Sequence, residues 1–235
     1  TIDLWVFADA SGSMRVAGHS VGQNGVEVAG QLIRSAALSA RAVGDRLGVY
    51  CAADRAIDDC CSPASRQSAQ SLAVGQRIEA LSSAVPSPSG ANSAAGLLNG
   101  SAVLGAHRTL VFLVSDFLPD RCDWRAVLRG LAAHELVPIV AWNLPAALMG
   151  EQSGLMSLRD AETGRDAMVW MRQSLKRRML DRLDEHFDAC EHLFRQHGRR
   201  AVHLFDGYDA VALTRYFYGA RQRRTPGMYL SALSR

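Results

Sequence analysis

A chain of 235 residues with 48% hydrophobic and 21% charged side chains buries roughly 70–75% of its unfolded surface, so one large domain over 1–235 is expected and extensive disorder is excluded. The formal net charge of +3 gives no reason to expect nucleic acid, and no stretch approaches the ~18 apolar residues of a membrane span. The five cysteines, Cys51, Cys60, Cys61, Cys122 and Cys190, contain no CxxC pair, which argues against a disulfide framework or zinc ribbon and for a reducing, cytoplasmic compartment.

The chain opens on Thr1 without a leader and enters a strand at once, so a preceding segment of the natural protein is expected to be missing. Ile2 to Ala8 reads as a strand buried on both faces. A polar, glycine-rich stretch, Asp9 to Gly25, leads to a helix over Val26 to Val43 with Val28, Leu32, Ala36 and Ala40 on one face and Gly44 as its stop. Arg46 to Ala52 is a second strand. Arg55 to Cys60 is expected to return antiparallel across Ala53-Asp54 as an edge hairpin. Ser65 to Ala84 has helical character, Pro86 to Gly90 breaks it, and a further helix is expected over about Ser93 to Ala106. Thr109 to Ser115 is a buried strand ending at Asp116. Asp123 caps a helix to His134, and Leu136 to Trp142 is another buried strand. Leu155 to Arg159 and Asp166 to Met171 flank Asp160-Ala161-Glu162-Thr163-Gly164, an appended hairpin by its turn chemistry. Leu175, Met179, Leu183, Phe187, Cys190 and Phe194 mark a helix closing at Gly198. A strand over Ala201 to Phe205 and a helix over Asp209 to about Arg223 complete the chain.

Strands alternating with helices predict an α/β fold, a doubly wound, mostly parallel sheet covered by helices on both faces. Its core is expected within about 1–145, with the hairpin and C-terminal helices in about 150–235. The last third is basic, with Arg172, Lys176, Arg177, Arg178, Arg182, Arg195, Arg199, Arg200, Arg221, Arg223 and Arg224. This reads either as a solvated helix face or as a dock for an acidic partner.

In such a sheet, ligands bind beyond the carboxyl ends of the strands where strand order reverses, and the first strand usually lies there. Asp9 closes that strand and is followed by the hydroxyls of Ser11 and Ser13 around Gly12. One or two carboxylates with serine hydroxyls and waters meet the octahedral demand of Mg²⁺. The second carboxylate is expected from Asp116, beyond Leu110-Val111-Phe112-Leu113-Val114. Capping of a turn or helix is the plainer reading of both aspartates.

Val6-Phe7-Ala8-Asp9-Ala10-Ser11-Gly12-Ser13-Met14 resembles the D-x-S-x-S element of the metal-ion-dependent adhesion site in von Willebrand A domains, and Leu113-Val114-Ser115-Asp116-Phe117 resembles its second acidic element. Gly44-Asp45-Arg46-Leu47-Gly48-Val49 and Asp160 to Gly164 resemble the bacterial domain-of-unknown-function proteins encoded beside MoxR-type AAA+ ATPases, the group that includes MxaS. The resemblance implies that Ser11 and Ser13 ligate a cation directly, Mg²⁺ or else Mn²⁺ or Ca²⁺, while Asp9 and Asp116 act mainly through waters. The chain departs from the pattern at Gly90-Ala91-Asn92-Ser93, where the family usually has threonine. There Asn92 or Ser93 substitutes for it, water fills the position, or, since Ala91 offers no side-chain oxygen, the site binds metal weakly or not at all.

Other chemistry fits less well. A haloacid-dehalogenase-like phosphatase needs an acid at the position held by Ser11, and neither G-x-S-x-G nor a P-loop is present. His186 and Cys190, with His192 and His197 nearby, could suggest a transition-metal site, although Cys190 reads more simply as a core thiol. His19 reads as an exposed loop imidazole rather than a liner of the cation site. The expectation is a non-enzymatic adaptor in which an acidic group of a partner completes the metal site. By resemblance, the partners are a MoxR-type ATPase and a client enzyme awaiting maturation or metal insertion, as in a methanol dehydrogenase system. The rival readings are a metal-dependent hydrolase using Asp9 and Asp116 and, more remotely, a matrix-binding adhesive module.

Overall fold

The computed structural model describes residues 2–15, 23–83, 93–120, 122–142, 154–159, 166–205 and 207–219. β1 (Asp3–Asp9), β2 (Arg46–Ala52), β4 (Leu110–Ser115), β5 (Glu135–Trp142) and β8 (Val202–Phe205) are parallel, and β3 (Ser62–Ser65) runs antiparallel along one edge. The six-stranded order is β3-β2-β1-β4-β5-β8. The strand order therefore reverses between β1 and β4, which are direct neighbours with Ala8 opposite Val114.

Alternation along the strands divides the core in two, as expected for a sheet covered on both faces. Val6 and Ala8 face α2 (Gly25–Val43) and α3 (Ser68–Ala80), together with a short C-terminal helix (Ala210–Phe217). Trp5 and Phe7 face the opposite layer, formed by a 3₁₀ segment (Ala95–Val103), α4 (Trp124–Gly130) and the long helix α5 (Gln173–Gln196). A short α1 (Gly12–Arg15) follows β1, and the C-terminal helix Ala210–Phe217 is α6. Asn24 caps α2 in a reciprocal box with Glu27, satisfying backbone N–H groups that the helix itself cannot. Gly44 ends α2 at φ 77°, the left-handed conformation glycine adopts freely. α2 and α3 pack backbone to backbone at Gly30 and Gly75. A Cβ on Gly30 would lie 2.8 Å from the Gly75 carbonyl oxygen.

Four boundaries differ from the sequence expectation. Arg55 to Cys60 makes only the single bridge Ala52–Ala56 and then a 3₁₀ turn at Asp58–Cys60. The edge strand is Ser62–Ser65, where Pro63 is tolerated because an edge residue needs no second ladder bond. The helix expected over Ser93 to Ala106 is instead the 3₁₀ segment, pressed so close to β1 that a Cβ on Gly100 would meet the Phe7 ring at 2.4 Å. α4 stops at Gly130, and Arg199 donates to the carbonyls of Ala132 and His134 in the turn beyond it. α6 stops at Phe217, before Gly219 at φ 73°.

β6 (Gly154–Arg159) and β7 (Asp166–Met171) form the appended antiparallel hairpin as a separate two-stranded sheet. Its turn residues, Asp160 to Gly164, lie outside the described residues, as do Arg221, Arg223 and Arg224. Among the described residues, no helix is long and apolar enough to cross a membrane.

Candidate metal centre

Asp9 ends β1 between two parallel neighbours and is fully buried. The following loop is pinned at several points. Ala10 N–H donates to the Ala52 carbonyl at 2.9 Å, Arg15 Nε donates to the Ala10 carbonyl at 3.0 Å, and Asn24 Nδ2 donates to the Arg15 carbonyl at 3.2 Å. Ser11 N–H donates to Asp9 Oδ1 at 2.8 Å, and the Ser11 and Ser13 hydroxyl oxygens lie 3.3 Å apart. The carboxylate and both hydroxyls therefore converge because the chain turns sharply into α1 directly after the strand.

From β4, the Ser115 hydroxyl donates to Asp9 Oδ2 at 2.5 Å and accepts from Phe117 N–H at 3.0 Å. Asp116 is half-buried, and its Oδ1 accepts from Leu118 N–H at 3.2 Å. Phe117 adopts φ 53°, a region costly for a residue bearing a Cβ and often found at functional turns. Its ring is clamped between Trp124 and Phe194, with centroids at 4.7 and 4.9 Å. His186 of α5 completes the clamp by donating from Nε2 to the Asp116 carbonyl at 2.8 Å.

Burial raises the Asp9 carboxyl to about 7, and the negative charge of Asp116 pushes in the same direction. The hydrogen bonds from Ser115 and Ser11 oppose both without prevailing. A buried carboxylate beside a second one is electrostatically short of positive charge, and a cation relieves that deficit as effectively as a proton. Asp9, Ser11, Ser13 and Asp116 offer only hard oxygen donors, which fits Mg²⁺ or a similar ion. Among the described residues, no group of three or more His, Cys, Asp or Glu could hold a metal, so hydroxyls and water must share the coordination with the carboxylates.

Ser93, the described candidate for the variant position, has its backbone N–H and its hydroxyl on Asp54 Oδ1 at 2.8 and 2.7 Å. Its proton is thus committed to Asp54, while its oxygen keeps a lone pair. Ala91, Asn92 and His19 lie outside the described residues. Cys190 is buried, and its sulfur lies 3.7 and 3.9 Å from the His186 ring nitrogens. Burial, then Asp116, pushes its thiol to about 12, in keeping with its place in the core beside Phe194. His192 meets Gln196 and His197 meets the Leu193 carbonyl.

The sequence reading attached no role to Ser115, Asp54 or the clamp by His186. Ser115 adjoins Asp116 and was open to notice. The other two contacts span 39 and 70 residues and leave no local signal. Because Ser115 satisfies both a buried carboxylate oxygen and a backbone N–H, Ser115→Ala is expected to cost about 1–3 kcal/mol. Chemical unfolding with an unchanged denaturant slope checks this.

Residues 1–203 match the family described as protein of unknown function DUF58. The chain belongs to the DUF58 family. The DUF58 chain is similar in structure to the conserved hypothetical protein BatB from Bacteroides thetaiotaomicron, with a TM-score of 0.53 and 11% identity over 100% of this chain and 99% of that one. It is also similar to an aerotolerance-related membrane protein from Bacteroides fragilis NCTC 9343 carrying multiple mutations to serines, with a TM-score of 0.52 and 11% identity over 93% and 97% of the respective chains. Likeness at this identity shows the fold alone. No curated protein matches the DUF58 chain.

Proposed function

We propose that this DUF58 chain is a von Willebrand A-type, non-enzymatic adaptor that binds an acidic partner in the presence of a divalent cation. The observation that carries this reading is the buried Asp9 carboxylate at the strand-order switch, with Ser11, Ser13 and Ser115 hydroxyls around it and the Asp116 charge beside it. A cation held there supplies positive charge to which a partner's carboxylate is drawn. Asp9, Ser11, Ser13 and Asp116 would hold it, with Asn92 or Ser93 in the position the family gives to threonine. Ser115 orients Asp9, and His186 with Phe117 keeps the Asp116 turn in place.

By its likeness to MoxR-associated proteins, the partner is a MoxR-type AAA+ ATPase with a client enzyme, in maturation or metal insertion of the methanol dehydrogenase kind, and the setting is cytoplasmic. Mg²⁺-dependent capture of the purified ATPase by the wild-type chain, lost in EDTA and in Asp9→Asn, is the expected result. Equal capture by Asp9→Asn would sink the adaptor reading.

One observation favours a second reading. A carboxyl raised to about 7 is poised for proton transfer at neutral pH, as a metal-dependent phosphatase or esterase would require. Against it, Asp9 is fully buried and both its oxygens accept hydrogen bonds. Turnover in a phosphatase and esterase screen with Mg²⁺ or Mn²⁺, lost in Asp9→Asn, would favour this alternative.

A further inference from the structure

The long helix α5 outruns the sheet that it covers. Just past its C-terminal end, Arg199 donates to the Ala132 and His134 carbonyls ahead of β5. Only part-way along, His186 already reaches the Asp116 carbonyl, one residue past the end of β4. The helix is continuous from Gln173 to Gln196, so the thirteen residues from Gln173 to Glu185 extend beyond the carboxyl ends of the strands, over about 20 Å at a rise of about 1.5 Å per residue. They form an arm at the same end of the sheet as Asp9 and Asp116.

One flank of the arm is covered, with Lys176 and Leu180 buried. The neighbouring flank is open. Leu175, Met179 and Leu183 recur every fourth residue there and are only half-buried. Leu183 joins the core around Trp142, whereas among the described residues Leu175 and Met179 pack into neither core. With Leu118 and His186 they line an open groove of about 560 Å³. Leu118 N–H and His186 Nε2 both bond to Asp116, so the groove abuts the candidate cation centre. An apolar stripe left open beside such a centre has the form of a helix-docking surface.

The charge around the groove selects the kind of helix. From Arg172 to Arg182 the exposed charged residues are four arginines and one aspartate. At about 100° per residue, Arg182 and Arg178 stand about 60° and 100° round the helix from Met179, whereas Glu185 and Asp181 stand about 120° and 160° round. The border next to the apolar stripe is therefore basic, and the acidic residues form the outer edge. Arg182 meets Glu185 at 3.7 Å, an exposed pair too weak to hold it against an incoming carboxylate.

We propose that this groove docks an acidic amphipathic helix of the partner protein, with apolar side chains on Leu175, Met179 and Leu183 and carboxylates on Arg178 and Arg182. The partner's role rests on the adaptor reading, but its seating in the groove needs no metal. A helix lying there runs past Leu118 and His186 towards Asp116, which brings the partner's acidic groups to the cation centre.

The test measures fluorescence anisotropy of a labelled helical peptide with leucines at i, i+3, i+4 and i+7 flanked by glutamates, titrated with the full chain in EDTA. Saturable binding is expected, and weaker binding of the peptide with lysine in place of each glutamate. Met179→Glu should abolish it. Arg178→Glu combined with Arg182→Glu should weaken the glutamate peptide by about tenfold or more and improve binding of the lysine peptide. Arg41→Glu, exposed on α2 in the opposite layer, should change neither. Circular dichroism checks folding, and the exposed arginine pair decides if Met179→Glu does not fold. Equal affinity for the two peptides, or an arginine pair without effect, would overturn the proposal. So would a dimer lost in Met179→Glu, which assigns the groove to a second copy, or binding to phosphatidylglycerol vesicles through these arginines without peptide binding, which assigns it to a lipid surface. Because the peptide is read without metal, its failure leaves Mg²⁺-dependent capture of the ATPase standing, and normal capture by Asp9→Asn removes the adaptor reading without touching the groove.

Discussion

Asp9→Asn is expected to abolish Mg²⁺ binding and, in the absence of metal, to make the protein more stable at pH 8. The wild-type carboxyl, raised from its ordinary 3.8 to about 7 chiefly by burial and secondarily by Asp116, retains its proton in the folded chain after the unfolded chain has lost it. Between these values the native state binds more protons, so its stability falls as pH rises. The contribution is fully present below about pH 4 and lost on passing pH 7. The displacement corresponds to on the order of 4 kcal/mol across that window. Asparagine imitates the protonated group, does not titrate, and escapes the loss. Thermal unfolding from pH 5 to 8 in EDTA should therefore show a declining wild type and a flat Asp9→Asn.

The same proton competes with a cation. Wild-type Mg²⁺ affinity is expected to fall about tenfold for each pH unit below 7, with about one proton released on binding. Titration calorimetry in buffers of different ionisation enthalpy measures both. Binding that ignores pH, or persists in Asp9→Asn, would show that Asp9 is not part of a cation site.

A second large effect is expected at Phe117. Phe117→Ala removes a 2%-exposed ring held between Trp124 and Phe194, at a cost of about 3–5 kcal/mol. It also leaves a Cβ at φ 53°. Phe117→Gly loses the same packing but relieves a backbone conformation costing about 1–3 kcal/mol, so it should be at least as stable as Phe117→Ala. This reverses the usual order, in which glycine is the worse by about 0.5–1 kcal/mol through backbone entropy. Equilibrium urea unfolding of both variants measures it, and a clearly less stable glycine variant would mean that the turn stores no strain.

Much of the architecture was open to inspection because burial leaves a local imprint. The runs Leu4 to Ala8, Leu110 to Val114 and Leu136 to Trp142 are apolar on both faces, which only a strand covered on both sides requires. They occur in the structure within one or two residues of their expected ends. The boundaries that moved did so where a contact distant in sequence overrode local preference. Arg199 binds the carbonyls of Ala132 and His134 just beyond α4, and Gly100 fits closely against Phe7 within the 3₁₀ segment.

At the candidate centre, the order of residues alone determined that Asp9, Ser11 and Ser13 share one loop, because a strand leading into a helix must turn there. It also made Asp116 the end of another buried strand. Only the tertiary structure decided that β1 and β4 are neighbours, that Ser115 reaches Asp9 across 106 residues, and that Asp54 engages Ser93. It likewise brought His186 onto the Asp116 carbonyl. The physical reason is that hydrophobic patterning specifies which face of an element is buried, whereas the partner of a polar group depends on which elements pack side by side.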